Sequence, residues 1–282
     1  MPFLQVADHI EVHYELDDHT DPWRHAPVLV LQHGNGRSAK FWSRWVPYLS
    51  RHYQVVRPDM RGLGRSRGAL DLEHDITPAH LVADLEKIID ATGGGPVHFC
   101  GESMGGILGI ILAARRPELV RSLTLVATPV FIEQGMKEKY SLGHGSRTQA
   151  MEKMGIRAWV AATTRGTRLP EAEEPELFNW YVEEFSKGSA DVQVAMSRVV
   201  NEANVATLLP DVKAPVLGLY PTSGQITSAD QEALLVEGLP GMQMVHLPTA
   251  YHMVQLLFPK TCTARLLEFC SRIDGVQPLQ DR

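Results

Sequence analysis

Residues 97–106 read VHFCGESMGG. They decide the fold, because a β-rich run, PVHFCGE (96–102), enters a G-x-S-x-G pattern and a helical run, MGGILGIILAARRPE (104–118), leaves it. A strand that reverses tightly into a helix brings backbone against backbone, so Gly101 and Gly105 remove side chains that would collide. Ser103 then sits at the tip, above a helix amino terminus whose positive end favours developing negative charge. Such a serine is either a nucleophile or an ordinary turn residue. A nucleophile needs a base, a group that orients the base, and donors for an oxyanion, and these must come from elsewhere in the chain.

Outward from this bend, further β-rich runs stand at 9–16 (HIEVHYEL), 27–33 (PVLVLQH), 53–59 (YQVVRPD), 122–129 (SLTLVATP), 214–221 (APVLGLYP) and 242–248 (MQMVHLP). LVADLEKIIDATG (81–93) has apolar residues at helical spacing and ends in glycine. Continuous apolar strands alternating with amphipathic helices predict an α/β fold with a mostly parallel sheet covered on both faces. Between about 130 and 212 the alternation stops. FIEQGMKEKY, QAMEKMGIRAWVAATT, PELFNWYVEEFSK and DVQVAMSRVVNEAN read there as helices, as an all-helical insertion between two strands of one sheet would; the alternative is a set of core helices in one continuous domain.

A chain of 282 residues with 44% apolar residues buries a full core. The formal charge of -6 is scattered, without a run of like charge, so no nucleic-acid partner is expected. Cys100, Cys262 and Cys270 are odd in number and lack C-x-x-C spacing, which argues against a disulfide framework or zinc knuckle and fits a reducing cytoplasm. The start, MPFLQVADHI, has no leader pattern, and no segment approaches the ~20 apolar residues that span a bilayer. A cytoplasmic protein acting on a small molecule, without membrane association, is the expectation. No histidines or carboxylates stand at ligand spacing on one helix, and no dinucleotide fingerprint is present, so neither metal nor cofactor is expected.

Directly after VLVLQH come Gly34, Asn35 and Gly36. The N–H groups of this loop can face Ser103 if the two strands are neighbours, and the oxyanion donors are assigned to Asn35 and Met104. Here the sequence resembles the α/β-hydrolase superfamily over nearly its whole length: QHGNG (32–36) is similar to its oxyanion loop, PDMRGLGRS (58–66) to its D-x-R-G-x-G-x-S turn, and GESMGG (101–106) to its nucleophile elbow. The resemblance implies an eight-stranded, mostly parallel sheet flanked by helices, with core residues 1–129 and 213–282 and a helical lid at 130–212. It also implies the chain order nucleophile, acid, histidine. His252, in the loop PTAYHMVQ after the last strand-like run, resembles the family's catalytic base. His33 and His98 read as structural, and Asp59 with Arg61 as a turn-stabilising pair.

The family's orienting acid is missing. It usually follows the strand resembling APVLGLYP, where this chain has PTSGQIT; the other position used by relatives holds Ala127 and Thr128. Three explanations remain. Asp230, in the first turn of a helix, reaches back to His252. Glu102, beside the nucleophile, is the second, although it reads better as a pocket residue. The third is a Ser–His pair oriented by water or by neutral groups such as Thr222 or Ser223. Arg37 and Met253 join Glu102 as candidate substrate contacts; Arg37, and Arg165 or Arg168 of the insertion, could receive a substrate carboxylate, the alternative being that each is solvated at the surface. Aromatic and methionine residues of the insertion, among them Tyr140, Trp159, Tyr181 and Phe185, imply an apolar acyl or ring site.

The expectation is a serine hydrolase of a small ester, lactone or related acyl compound. The alternatives are a carbon–carbon bond hydrolase of a vinylogous diketone, and a ligand-binding member of the fold with residual catalysis.

Overall fold

The computed structural model describes residues 2–276. Its strands are β1 (Phe3–Ala7), β2 (Ile10–Asp17), β3 (Val28–Gln32), β4 (Gln54–Pro58), β5 (Arg67–Gly68), β6 (Val97–Glu102), β7 (Val120–Val126), β8 (Val216–Pro221) and β9 (Gln243–Leu247). They form one sheet in the order β1-β2-β4-β3-β6-β7-β8-β9, with the two-residue β5 paired to β2. From β4 to β9 all neighbours are parallel, and β1 and β2 close the edge antiparallel. The expected eight-stranded sheet is this path, with β5 as an addition.

The helices are α1 (Val46–Leu49), α2 (Pro78–Ala91), α3 (Met104–Arg115), α4 (Gln134–Ser141), α5 (Arg147–Met154), α6 (Ile156–Thr164), α7 (Pro175–Phe185), α8 (Ala190–Glu202), α9 (Ala229–Gly238), α10 (Val254–Leu257) and α11 (Pro259–Asp274). Every residue of β6 and β8 is buried, which is what strands with both faces covered require. One apolar cluster gathers Leu85, Ile88, Ile107 and Ile111 of α2 and α3; the other gathers Trp42, Trp45, Leu49, Leu266 and Phe269. Cys100, Cys262 and Cys270 are free and buried. No helix among the described residues is long and apolar enough to cross a membrane.

Helices α4–α8 all lie between β7 and β8, which are adjacent in the sheet and in register from Leu123↔Val216 to Val126↔Leu219. The segment is tied off at its base, where Phe131 bridges Asn204 and the Val205 N–H donates to the Val130 carbonyl at 3.0 Å. The stretch QAMEKMGIRAWVAATT, read above as one helix, is two. Gly155, at φ +77°, ends α5 and starts α6 in a new direction.

Two parallel pairings position the chemistry. β3 lies beside β6, with Gln32 opposite Gly101, so the loop after β3 and the bend after β6 emerge side by side. The condition set on Asn35 from the sequence is therefore met. A Cβ on Gly105 would stand 2.3 Å from the Gln32 carbonyl oxygen and 2.6 Å from that of His33, and one on Gly101 would stand 2.3 Å from the Gly105 carbonyl. These contacts are backbone on both sides and do not yield by a rotamer change. Gly105→Ala should cost about 3 kcal/mol, the upper end of the penalty for forcing a carbon into packed structure, read as a lowered urea midpoint. An unchanged midpoint would mean that strand and helix are packed less closely.

Candidate active site

Ser103 occupies the bend between β6 and α3 at φ 52°, ψ -116°. A side chain is strained there, by about 1–3 kcal/mol. The strain is held by hydrogen bonds on both sides: the Ser103 N–H donates to the Val126 carbonyl, and its own carbonyl accepts from the N–H groups of Gly106 and Ile107. Met104 is the first residue of α3, so its N–H has no carbonyl within the helix.

The neighbouring loop is fixed by His33. Its Nδ1–H donates to the Gly34 carbonyl at 2.8 Å, and its Nε2 accepts the Met60 N–H at 3.0 Å. Both ring nitrogens are thereby used, in keeping with the structural role expected, and burial holds the ring's pKa down. Asn35 follows, buried, with its N–H making no hydrogen bond among the described residues. In the turn after β4, Asp59 accepts from the N–H groups of Ala39 and Arg65 and from His13 Nδ1. Arg61 pairs with Asp84, at 2.5 and 2.7 Å, and not with Asp59. Both are structural, through different partners.

His252 is 3% exposed and held by its backbone. Its N–H donates to the Thr167 carbonyl and the Met253 N–H to that of Arg168, so the loop between α6 and α7 grips it. The carboxylate facing it is Glu102. The Glu102 Oε1 lies 3.3 Å from His252 Nε2, while Oε2 lies 3.0 Å from Arg37 Nη1 and accepts the Gly34 N–H at 3.0 Å. Oε1 accepts no aligned hydrogen bond, so towards the imidazole Glu102 acts as a charge at short range.

Burial, the largest single influence, would raise the Glu102 pKa, but Arg37, His252 and the Gly34 N–H together outweigh it and hold the carboxyl below its ordinary value. Burial also lowers the His252 pKa, against the pull of Glu102. At neutral pH the pair is thus a carboxylate beside a neutral imidazole.

The other proposed orienters lie elsewhere. Asp230 is exposed in the first turn of α9 and makes no contact with His252 among the described residues. Thr222 spends its hydroxyl on the Leu247 carbonyl at 2.8 Å, and Ser223 is exposed. At the second position where an acid was sought, the Thr128 carbonyl accepts the Tyr220 hydroxyl at 2.9 Å. Met253 is buried with its sulfur 3.3 Å from Arg37 Nη2, so it meets the arginine. Arg37 is not solvated at the surface: it is divided between Glu102, the Tyr181 hydroxyl at 2.9 Å and Met253. Arg165 is exposed and paired with Glu171, but Arg168 is buried.

Ser103 and His252 line one cavity, together with Asn35, Arg37, Tyr140, Arg147, Arg168 and Phe185. Its free space is about 30 Å³, room for a water or two and far below the ~300–1,000 Å³ of small-molecule sites, so a substrate enters only as lining side chains move apart. The expected apolar site is therefore strongly basic along one wall. Arg147 was not anticipated. It opens α5 in the polar-looking run RTQAMEKM, where nothing in the residue pattern marks one basic side chain as buried.

The pH dependence follows from the sign of these shifts. A base must be unprotonated, and the His252 pKa is lowered, so with His252 in the role expected from the sequence kcat/KM should persist below pH ~6.5, the unperturbed imidazole value, and fall only as pH drops through the lowered pKa. Glu102 raises the His252 pKa, so Glu102→Gln should move the acid limb to still lower pH. It should also cut kcat by about 10²-fold or more, given the ~10⁴-fold loss when a serine protease loses its orienting acid. A limb that moves upward would remove Glu102 from this role.

Comparison with known proteins agrees with this fold. A family model described as alpha/beta hydrolase fold matches residues 27–259. Among curated relatives, a putative carbamate hydrolase RutD of Agrobacterium fabrum is 26% identical over 263 residues, spanning 92% of this chain and 97% of its own. Its counterpart from Pseudomonas savastanoi pv. phaseolicola is 27% identical over 256 residues, 86% and 93% of the two chains. Among solved structures, the enol-lactonase from Burkholderia xenovorans superposes with a TM-score of 0.84 at 23% identity, covering 96% of this chain and 100% of that one. An esterase from Thermogutta terrifontis gives 0.79 at 20%, with 94% of each chain covered; at such identities the likeness is one of fold. The chain belongs to the alpha/beta hydrolase fold family.

Proposed function

We propose that this α/β-hydrolase cleaves a small ester, lactone or related acyl compound such as a carbamate, with Ser103 as nucleophile and His252 as base. The observation that carries the reading is the convergence of Ser103, His252 and the Asn35 loop on one cavity, with a buried carboxylate 3.3 Å from the imidazole. The relatives named as carbamate hydrolases and the fold shared with an enol-lactonase support the bond class.

The Ser103 hydroxyl attacks the acyl carbon while the His252 nitrogen not facing Glu102 takes its proton. The N–H groups of Asn35 and Met104 receive the oxyanion, each worth about 3 kcal/mol of barrier, and the dipole of α3 adds to their field. The imidazolium so formed lies against the Glu102 carboxylate, which Arg37 keeps ionised. Collapse of the tetrahedral intermediate expels the leaving group with the proton from His252. Water then repeats the cycle on the acyl-enzyme, so the net reaction adds one water across the acyl bond. Residues 130–212 act as the lid. Their Thr167 and Arg168 carbonyls, bonded to the His252 loop, couple the lid to the base.

A fluorophosphonate should label the wild type on Ser103 and leave Ser103→Ala unlabelled. His252→Ala should abolish turnover of short acyl esters, with a thermal midpoint within a few degrees of wild type. An unlabelled wild type, inert towards esters, lactones, carbamates and diketones alike, would favour a ligand-binding member of the fold. Retention of most activity by His252→Ala would mean that another group is the base.

A further inference from the structure

Three arginines line the cavity beside Ser103, and among the described residues one of them has a counter-ion. Arg37 is neutralised by Glu102. Arg147, from the first residue of α5, and Arg168, from the turn after α6, are each 4% exposed and form no ion pair among the described residues. Both guanidiniums lie over the same two rings. The Arg147 carbon Cζ is 5.3 Å from the centre of Tyr140 and 4.9 Å from that of Trp159; for Arg168 the distances are 4.7 and 5.7 Å.

Aromatic faces attract cations but do not neutralise them, and two like charges sharing one cage repel. Arg168 makes hydrogen bonds to Thr163 and Thr164, whereas Arg147 Nε and the Tyr140 hydroxyl are buried with no hydrogen-bond partner among the described residues. Buried polar atoms are nearly always satisfied, and an unpaired buried charge is costly, so this wall lacks an anion that accepts hydrogen bonds. Burial, with Arg168 as the next influence, pushes the Arg147 pKa down to about 9, the direction expected of a cation without a counter-ion.

We infer that the substrate carries a carboxylate, seated between Arg147 and Arg168 with the Tyr140 hydroxyl as a third donor, while its acyl bond lies over Ser103. The inference rests on the hydrolase reading for the second half of that statement only. A planar carboxylate suits guanidinium forks and accepts several hydrogen bonds at once. The resting cavity has about 30 Å³ of free space, so seating the carboxylate requires side chains of this wall to move apart.

The test separates anion binding from turnover. Ser103→Ala is titrated calorimetrically with succinate, with its uncharged diamide and with inorganic phosphate, and the series is repeated after adding Arg147→Met or Arg168→Met. Succinate should bind and the diamide should not. Either methionine should weaken succinate at least about tenfold, the loss of one charge-assisted hydrogen-bonded contact. Without ligand, Arg147→Met should melt at or above its parent, because an uncompensated buried charge has gone. Equal binding of succinate and diamide, binding of phosphate alone, or succinate affinity unchanged by both methionines would overturn the inference. So would a sharp fall in the melting point of Arg147→Met, which would assign the arginine to structure. Succinate binding in a protein that hydrolyses nothing would leave the inference standing and count against the hydrolase reading alone.

Discussion

The Glu102 carboxylate is completely buried, and three groups from distant parts of the chain converge on it: the Arg37 guanidinium, the Gly34 N–H and the His252 imidazole. A carboxylate so far from water survives as an ion only with such partners, and losing one partner of a buried pair costs about 3–5 kcal/mol. The site is organised around this constraint. Arg37 fixes the charge, Gly34 must lack a side chain because a Cβ would stand 2.5 Å from Glu102 Oε2, and His252 is placed where that charge can steady an imidazolium.

The sheet brings these groups together with little freedom. β3, β6 and β7 are parallel neighbours, so the Asn35 loop, the Ser103 bend and the base of the helical segment all leave the same edge. Hydrogen bonds from His252 and Met253 to the 167–168 turn then tie that segment to the histidine loop. One short stretch thus contributes the Arg168 side chain to the cavity wall and two carbonyls to the histidine loop.

Local chain geometry was legible in the residues. The bend around Ser103 and the Asn35 loop declare themselves because close backbone approach demands glycine at particular positions, and the buried strands because a sheet covered on both faces demands continuous apolar runs. His252 was read as the base from its place after the last strand-like run, and it lines the same cavity as Ser103. Glu102 was considered as an orienting group and read as a pocket residue instead, because its relation to His252 spans 150 positions and no spacing rule records it. Asp230 looked plausible in a first helical turn, yet it faces solvent. The arginines were misjudged for the same reason: burial of Arg37, Arg147 and Arg168 is decided by how helices α4–α7 pack, and a lone basic residue in a polar run looks like a surface residue. β1 was missed because FLQVA is short and half exposed.

The most direct measurement is an NMR titration of the Glu102 side-chain carboxyl carbon in the resting protein, assigned by its absence in Glu102→Gln. With Arg37, His252 and the Gly34 N–H in place, the signal should remain that of an ionised carboxylate and titrate below the ordinary value of 4.5. A midpoint at or above that value would show a carboxyl governed by burial alone, and the charge on which the site is organised would not be there.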